Sequence, residues 1–245
     1  GVHYESRGKK DIGVVFIHGM SGNILENYFA HVLGETLAKN NVGFIYGHNR
    51  GYNYVNDIAT KKIGKNGGYV AKNIGATYER FNECVFDIDC WLKTIRKLGY
   101  KRIVLVGHSL GCNKVIHYLA GRRPKDIAGL VLLSPPDMVG LARLKKYQKN
   151  YSELLKKAKR NIIAKKPEKL LSRKIWNWFY LSSRTCLDLF QENGPADNLP
   201  VLRNPEKFTE LASIKIPILG IMGGNDDIAI RTLKDDLDLI SQKAL

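Results

Sequence analysis

The 245-residue sequence predicts an α/β protein built on a mainly parallel, doubly wound sheet. Three observations predict it. Short continuous apolar runs (Ile12–Ile17, Val42–Tyr46, Ile103–Val106, Ile127–Leu133 and Ile216–Met222) have the length and branched composition of strands buried on both faces. Segments with apolar residues at helical spacing separate most of them, which is the β-α alternation of a parallel sheet. The runs also end in polar or glycine-rich turns, at 18–23, 47–51, 107–111, 134–137 and 223–227. In a parallel sheet such turns gather at the carboxyl edge, where ligands bind.

The elements follow in order. After Ile12–Ile17 and its turn, Leu25–Lys39 has helical spacing through Leu25, Phe29, Val32, Leu33 and Leu37. Val42–Tyr46 is the second strand. Residues 51–76 are rich in Gly, Asn and Lys and read as an exposed loop. Phe81–Leu98 is a helix with its apolar face at Val85, Ile88, Trp91, Leu92 and Ile95, stopped by Gly99. Ile103–Val106 is a strand, and Cys112–Ala120 is a helix with Val115, Ile116 and Leu119 on one face. Ile127–Leu133 runs into Ser134-Pro135-Pro136-Asp137, and proline takes the chain out of a central strand. Val139–Asn198 breaks the alternation and is helical, basic and aromatic. Ile216–Met222 resumes it, and Ile230–Ala244 is a last helix. The expected division is a core in two parts, 1–137 and 205–245, with a basic helical cap, 138–204, inserted between them.

The net charge of +16 is concentrated in that insertion. From Met138 to Ile175 there are 13 Lys/Arg and 2 carboxylates, so +11 belongs to one segment. Leu141, Leu144, Tyr147, Tyr151, Leu154 and Leu155 form an apolar stripe, and Lys145, Lys146, Lys149, Lys156 and Lys157 fill much of the remaining surface. The stripe is expected to cover a cleft with the lysines in water. The sharper expectation is contact with an anionic membrane or an acidic ligand. No nucleic-acid recognition motif is present, which argues against that partner. Trp176, Trp178, Phe179 and Tyr180 are either core of the insertion or a ligand platform. No apolar run approaches a membrane span. Cys84, Cys90, Cys112 and Cys186 lack C-x-x-C spacing, so reduced thiols in a cytoplasm are expected, with no metal and no cofactor.

The most specific signal is Gly107-His108-Ser109-Leu110-Gly111, placed between a strand and a helix. Such a G-x-S-x-G turn mounts a serine nucleophile at the top of a sheet. With Phe16-Ile17-His18-Gly19-Met20 and Tyr46-Gly47-His48-Asn49-Arg50-Gly51, the chain resembles the α/β-hydrolase superfamily over about 12–137 and 205–245. It is similar there to small esterase-like proteins, including the DUF1749 group. The resemblance implies Ser109 as nucleophile and the Met20 and Leu110 amides as an oxyanion hole. Gly223-Gly224-Asn225-Asp226-Asp227-Ile228 looks like the family's acid turn, which implies Asp226; Asp227 and Asp137 stay open as alternatives.

The resemblance also exposes a gap. The family order is Ser, acid, His, yet all six histidines precede Asp226. His18 and His108 are expected to turn into local hydrogen bonds. His48 is the one in-chain substitute worth naming, and the simplest expectation places the base beyond Leu245. The implied activity is hydrolysis of a small-molecule carboxylic ester. Two rivals are a non-catalytic binding protein on this fold and a binder of an anionic surface through the cap.

Overall fold

The computed structural model describes residues 1–63, 66–144, 150–203 and 208–244. A six-stranded sheet runs in the order β1 (Val2–Tyr4), β3 (Val42–Gly47), β2 (Ile12–Ile17), β6 (Arg102–His108), β7 (Ile127–Leu133), β8 (Ile218–Ile221). All pairings are parallel except β1 against β3. The chain moves outward from β2 to β3, then returns to place β6 on the other side of β2. The topological switch point therefore lies between β2 and β6, paired through Ile17 and Gly107 at their carboxyl ends.

Alternation along the strands sorts the core into two layers. Val14 and Phe16 face α1 (Tyr28–Lys39), with Phe44, Tyr46, Ala30, Leu33 and Leu37. Val15 and Ile17 face the other way, onto α2 (Cys84–Lys97) and α3 (Leu110–Arg122) through Ile88, Leu92, Ile95 and Val115. The last helix, α8 (Leu233–Lys243), joins this second layer through Ile240. A short helix, α7 (Thr209–Ala212), adds Leu211 to this layer, whereas a single 3-10 turn at Phe81–Glu83 leads into α2 and buries Phe81 against the insertion.

The expected loop at 51–76 is not a loop. It contains an antiparallel pair, β4 (Asn56–Ile63) and β5 (Tyr69–Ile74), standing apart from the main sheet. Most of its described side chains are exposed, so its composition carries no burial signal. β1 is too short for its sequence to mark it as a strand. The helix expected through 141–155 is also different. α4 (Met138–Arg143) stops at Leu144, whose backbone is extended, and α5 (Tyr151–Ile163) starts after Asn150. Tyr147, Lys145, Lys146 and Lys149 lie outside the described residues. Leu141 and Leu154 are still buried, but on different helices.

The insertion between β7 and β8 continues with an irregular hairpin, 170–182, and α6 (Ser183–Phe190). Its cluster of Leu154, Leu171, Phe179, Leu187 and Phe190 closes over Leu110 and Met138, above the carboxyl end of β6.

Candidate active site

Ser109 sits between the last residue of β6 and the first of α3, with φ 52° and ψ −129°. A positive φ at a residue bearing a Cβ costs about 1–3 kcal/mol and persists only where neighbours impose it. Three close approaches impose it here. A Cβ on Gly111 would lie 2.0 Å from the Ile17 carbonyl oxygen, and one on Gly107 2.6 Å from the Gly111 carbonyl oxygen. A Cβ on Gly19 would lie 2.8 Å from Ser109 Cβ. The Ser109 amide donates to Leu133 O at 2.9 Å, which ties the turn to β7.

The turn after β2 is held from below by His18, which is fully buried. The Asn49 amide donates to its Nε2 at 2.9 Å, so the proton sits on Nδ1 and is donated to Gly19 O at 2.7 Å. Burial, then the charge of Lys114, pushes the His18 pKa well below the usual imidazole value, so the ring is neutral. Together these bonds fix the backbone that presents Met20. Neither the Met20 nor the Leu110 amide donates to an acceptor among the described residues. Both line a cavity of about 190 Å³ with Ser109, under Met138 and Leu141 of α4 and under Trp176 and Trp178 of the hairpin tip.

The carboxylates separate cleanly. Asp137 is buried and committed to structure: it caps α4 by accepting from the Gly140 amide at 2.7 Å and accepts from the Leu202 amide at 2.9 Å. Burial raises its pKa. Asp226 follows β8 and accepts from the Ser134 hydroxyl and from the Ile228 amide at 3.3 Å. Ser134, itself at φ 51°, carries no sequence signal of this role, because nothing local to Ser-Pro-Pro shows that β7 and β8 are neighbours. Asp227 follows it in the same turn.

No histidine among the described residues reaches Ser109. His48 accepts from the Ile24 amide at 3.2 Å and stacks on Tyr52, so the in-chain substitute is occupied elsewhere. His18 turns into local hydrogen bonds as expected. His108 does not: its ring packs against Phe16 and Phe29 at the cavity wall, with its pKa lowered by burial and partly restored by Asp226. His117 pairs with Glu210 at 2.9 Å, on a larger open groove of about 650 Å³ that Ser109 does not line. His3 and His31 bond Tyr100 and Tyr4.

The aromatic cluster of the insertion divides. Phe179 is buried core, whereas Trp178 is exposed and lines the serine cavity. All four cysteines are free, and no group of metal-ligating side chains occurs among the described residues. No described helix is long and apolar enough to cross a membrane.

A serine on a strained strand–helix turn, at the switch point of a mainly parallel sheet and beside two amides with no acceptor among the described residues, is an arrangement that fits one fold class. The family profile for the alpha/beta hydrolase fold matches residues 13–224, and the chain belongs to that family. Among solved structures it is similar to Est1E from Butyrivibrio proteoclasticus with ferulic acid bound (TM-score 0.60, 16% identity, 99% of this chain and 80% of that chain). It is similar to a soluble variant of monoglyceride lipase from Saccharomyces cerevisiae in complex with a substrate analog (TM-score 0.57, 13% identity, 98% and 77%). A third is the monoacylglycerol lipase of Paleococcus ferrophilus (TM-score 0.55, 20% identity, 99% and 82%). At these identities the likeness is one of fold. Among curated proteins none matches the chain.

Proposed function

We propose that the protein is a serine hydrolase that cleaves a carboxylic ester through an acyl-enzyme on Ser109. The observation that carries this reading is the strained Ser109 turn packed on Gly19, in one apolar cavity with two amides that have no acceptor among the described residues. In the reaction, Ser109 Oγ bonds to the ester carbonyl carbon and its proton passes to a base. The carbonyl oxygen takes the electron pair and accepts from the Met20 and Leu110 amides, an interaction class that contributes several kcal/mol to the transition state. The alcohol leaves with the proton, and water then releases the acid by the same steps in reverse.

Asp226 is the acid of this reading, since Asp137 spends both carboxylate oxygens on backbone amides. The base of this reading is a histidine, and none of the six in residues 1–244 is placed to serve: His18, His48 and His117 are engaged elsewhere, and His108 packs on Phe16 and Phe29. Residues 138–204 act as the cap. The ester class is suggested by the names of the esterase and lipase neighbours and by a cavity whose roof is apolar.

The test is labelling by a fluorophosphonate, comparing the full-length gene product with residues 1–245. The longer form should label and its Ser109→Ala variant should not. Residues 1–245 should label at least about a thousandfold more slowly, because triad members act as a unit. A longer form that fails to label, or a Ser109→Ala variant that labels equally, overturns the reading and leaves the cavity a binding pocket.

A further inference from the structure

We propose that the outer face of the insertion docks the protein on an anionic lipid surface, with the mouth of the Ser109 cavity at the place of contact. Between residues 151 and 180 there are nine Lys/Arg and two carboxylates. One of those carboxylates, Glu168, is taken by Arg80 at 2.5 Å. None of the nine cations forms an ion pair with a described residue. The positive charge is therefore uncompensated within the described fold.

Its arrangement is that of a face. On α5, Leu154, Ala158 and Asn161 are buried, while Lys156, Lys159, Arg160 and Ile163 lie on the opposite side at helical spacing. Ile163 is 82% exposed, an aliphatic group set among cations. A cleft of about 280 Å³ joins this helix to the hairpin, lined by Lys156, Lys157, Arg160 and Arg173 with Glu153 as the one carboxylate.

The hairpin runs from that cleft to the serine. Its strands are bridged at Leu170–Ser182 and Ile175–Phe179, and Trp176 and Asn177 turn it with φ 49° and 61°. Leu171, Ile175, Phe179 and Leu181 point inward, whereas Arg173, Lys174, Trp178 and Tyr180 point out. Trp178 is 57% exposed and also lines the Ser109 cavity. Cations beside exposed Trp, Tyr and Ile suit an interface that is charged at its surface and apolar just beneath. Nucleic acid is disfavoured because the exposed Trp178 sits at the mouth of an apolar cavity, outside the lining of the cationic cleft. That substrate is drawn from this surface rests on the ester-hydrolase reading; the docking does not.

The experiment is flotation of the full chain, as its Ser109→Ala variant, with phosphatidylcholine vesicles made with and without phosphatidylglycerol. Binding should require phosphatidylglycerol, weaken as salt rises, and shift tryptophan emission to the blue. Each basic residue near an anionic leaflet strengthens binding about fivefold, so Lys156→Gln with Arg160→Gln and Arg173→Gln should weaken it about a hundredfold. Lys93→Gln with Lys97→Gln and Lys125→Gln, an equal charge change elsewhere on the surface, should weaken it only a few-fold. Trp178→Ala should remove most of the blue shift. Equal binding to both vesicles, or an unchanged α5–hairpin triple variant, overturns the proposal. So does displacement by inorganic phosphate, which marks a small-anion site, or preference for single-stranded RNA over vesicles. Because Ser109→Ala is the protein floated, failure here leaves fluorophosphonate labelling as an independent test of the hydrolase reading.

Discussion

The two flanks of the central sheet differ in what covers them. At β2 and β6, Val15, Phe16, Ile17 and Leu105 are fully buried, and helices lie on both faces. At β8, α8 covers one face while Leu219 and Ile221, paired in register with Val131 and Leu133, stay 55% and 44% exposed on the α1 side. The serine end of the site belongs to the first flank and the Asp226 end to the second. Ser109 and the Met20 and Leu110 amides are thus fixed by close packing, as the proposed electrostatic role requires. Asp226 follows a strand whose outer edge has no strand partner among the described residues.

Predicted effects sharpen that difference, beginning with the largest. Lys114 and Glu79 form a buried ion pair at 2.5 Å beneath the serine turn. Lys114→Met strands the carboxylate and should cost about 3–5 kcal/mol in urea unfolding; adding Glu79→Leu should recover most of it. Gly111→Ala should cost about 3 kcal/mol, since its Cβ meets the Ile17 carbonyl, whereas Gly224→Ala, with nothing within 4 Å, should stay within about 0.5 kcal/mol. If both cost alike, the two flanks are equally packed.

The carboxylates should behave oppositely in two measurements. Asp137→Asn should cost about 1–3 kcal/mol by weakening buried hydrogen bonds, yet spare fluorophosphonate labelling in the form that labels. Asp226→Asn should cost under about 1 kcal/mol and slow labelling by about 10⁴-fold. Equal loss of labelling in both would reassign the acid.

The smallest effect is a pH dependence. Native His18 is held neutral, with its pKa below the unfolded value near 6.5, so unfolding takes up a proton in acid. Its share of stability is complete above about pH 6.5 and is lost as pH falls towards the native value. His18→Gln can keep both hydrogen bonds and should flatten that limb of a stability–pH curve. Flattening should be partial, since burial lowers His48 and His108 as well.

Much of the site is legible in the sequence because its signal is local. The Ser109 turn is written in five consecutive residues, and Gly19 and Met20 follow a strand that burial makes continuously apolar. Less legible are elements whose stability comes from pairing without burial. The β4–β5 pair leaves most of its described side chains exposed, Ile58, Ile63, Tyr69 and Val70 among them, and β1 has three residues. Ser134 and His108 acquire their places only through neighbours in space: Ser134 through the β7–β8 register that brings it to Asp226, and His108 through Phe16 and Phe29.

The sequence by itself determined the alternation of strand and helix, the strained serine turn and the excess of charge in the insertion. Those properties depend on periodicity, on which residues tolerate a backbone conformation, and on composition. Only the tertiary structure decided that β2 and β6 meet at a switch point, that Asp137 is spent on α4 while Asp226 is not, and that one hairpin spans from the cationic cleft to the serine cavity. Each of these is a contact between residues far apart in the chain, set by which apolar faces bury one another, and no local pattern records it.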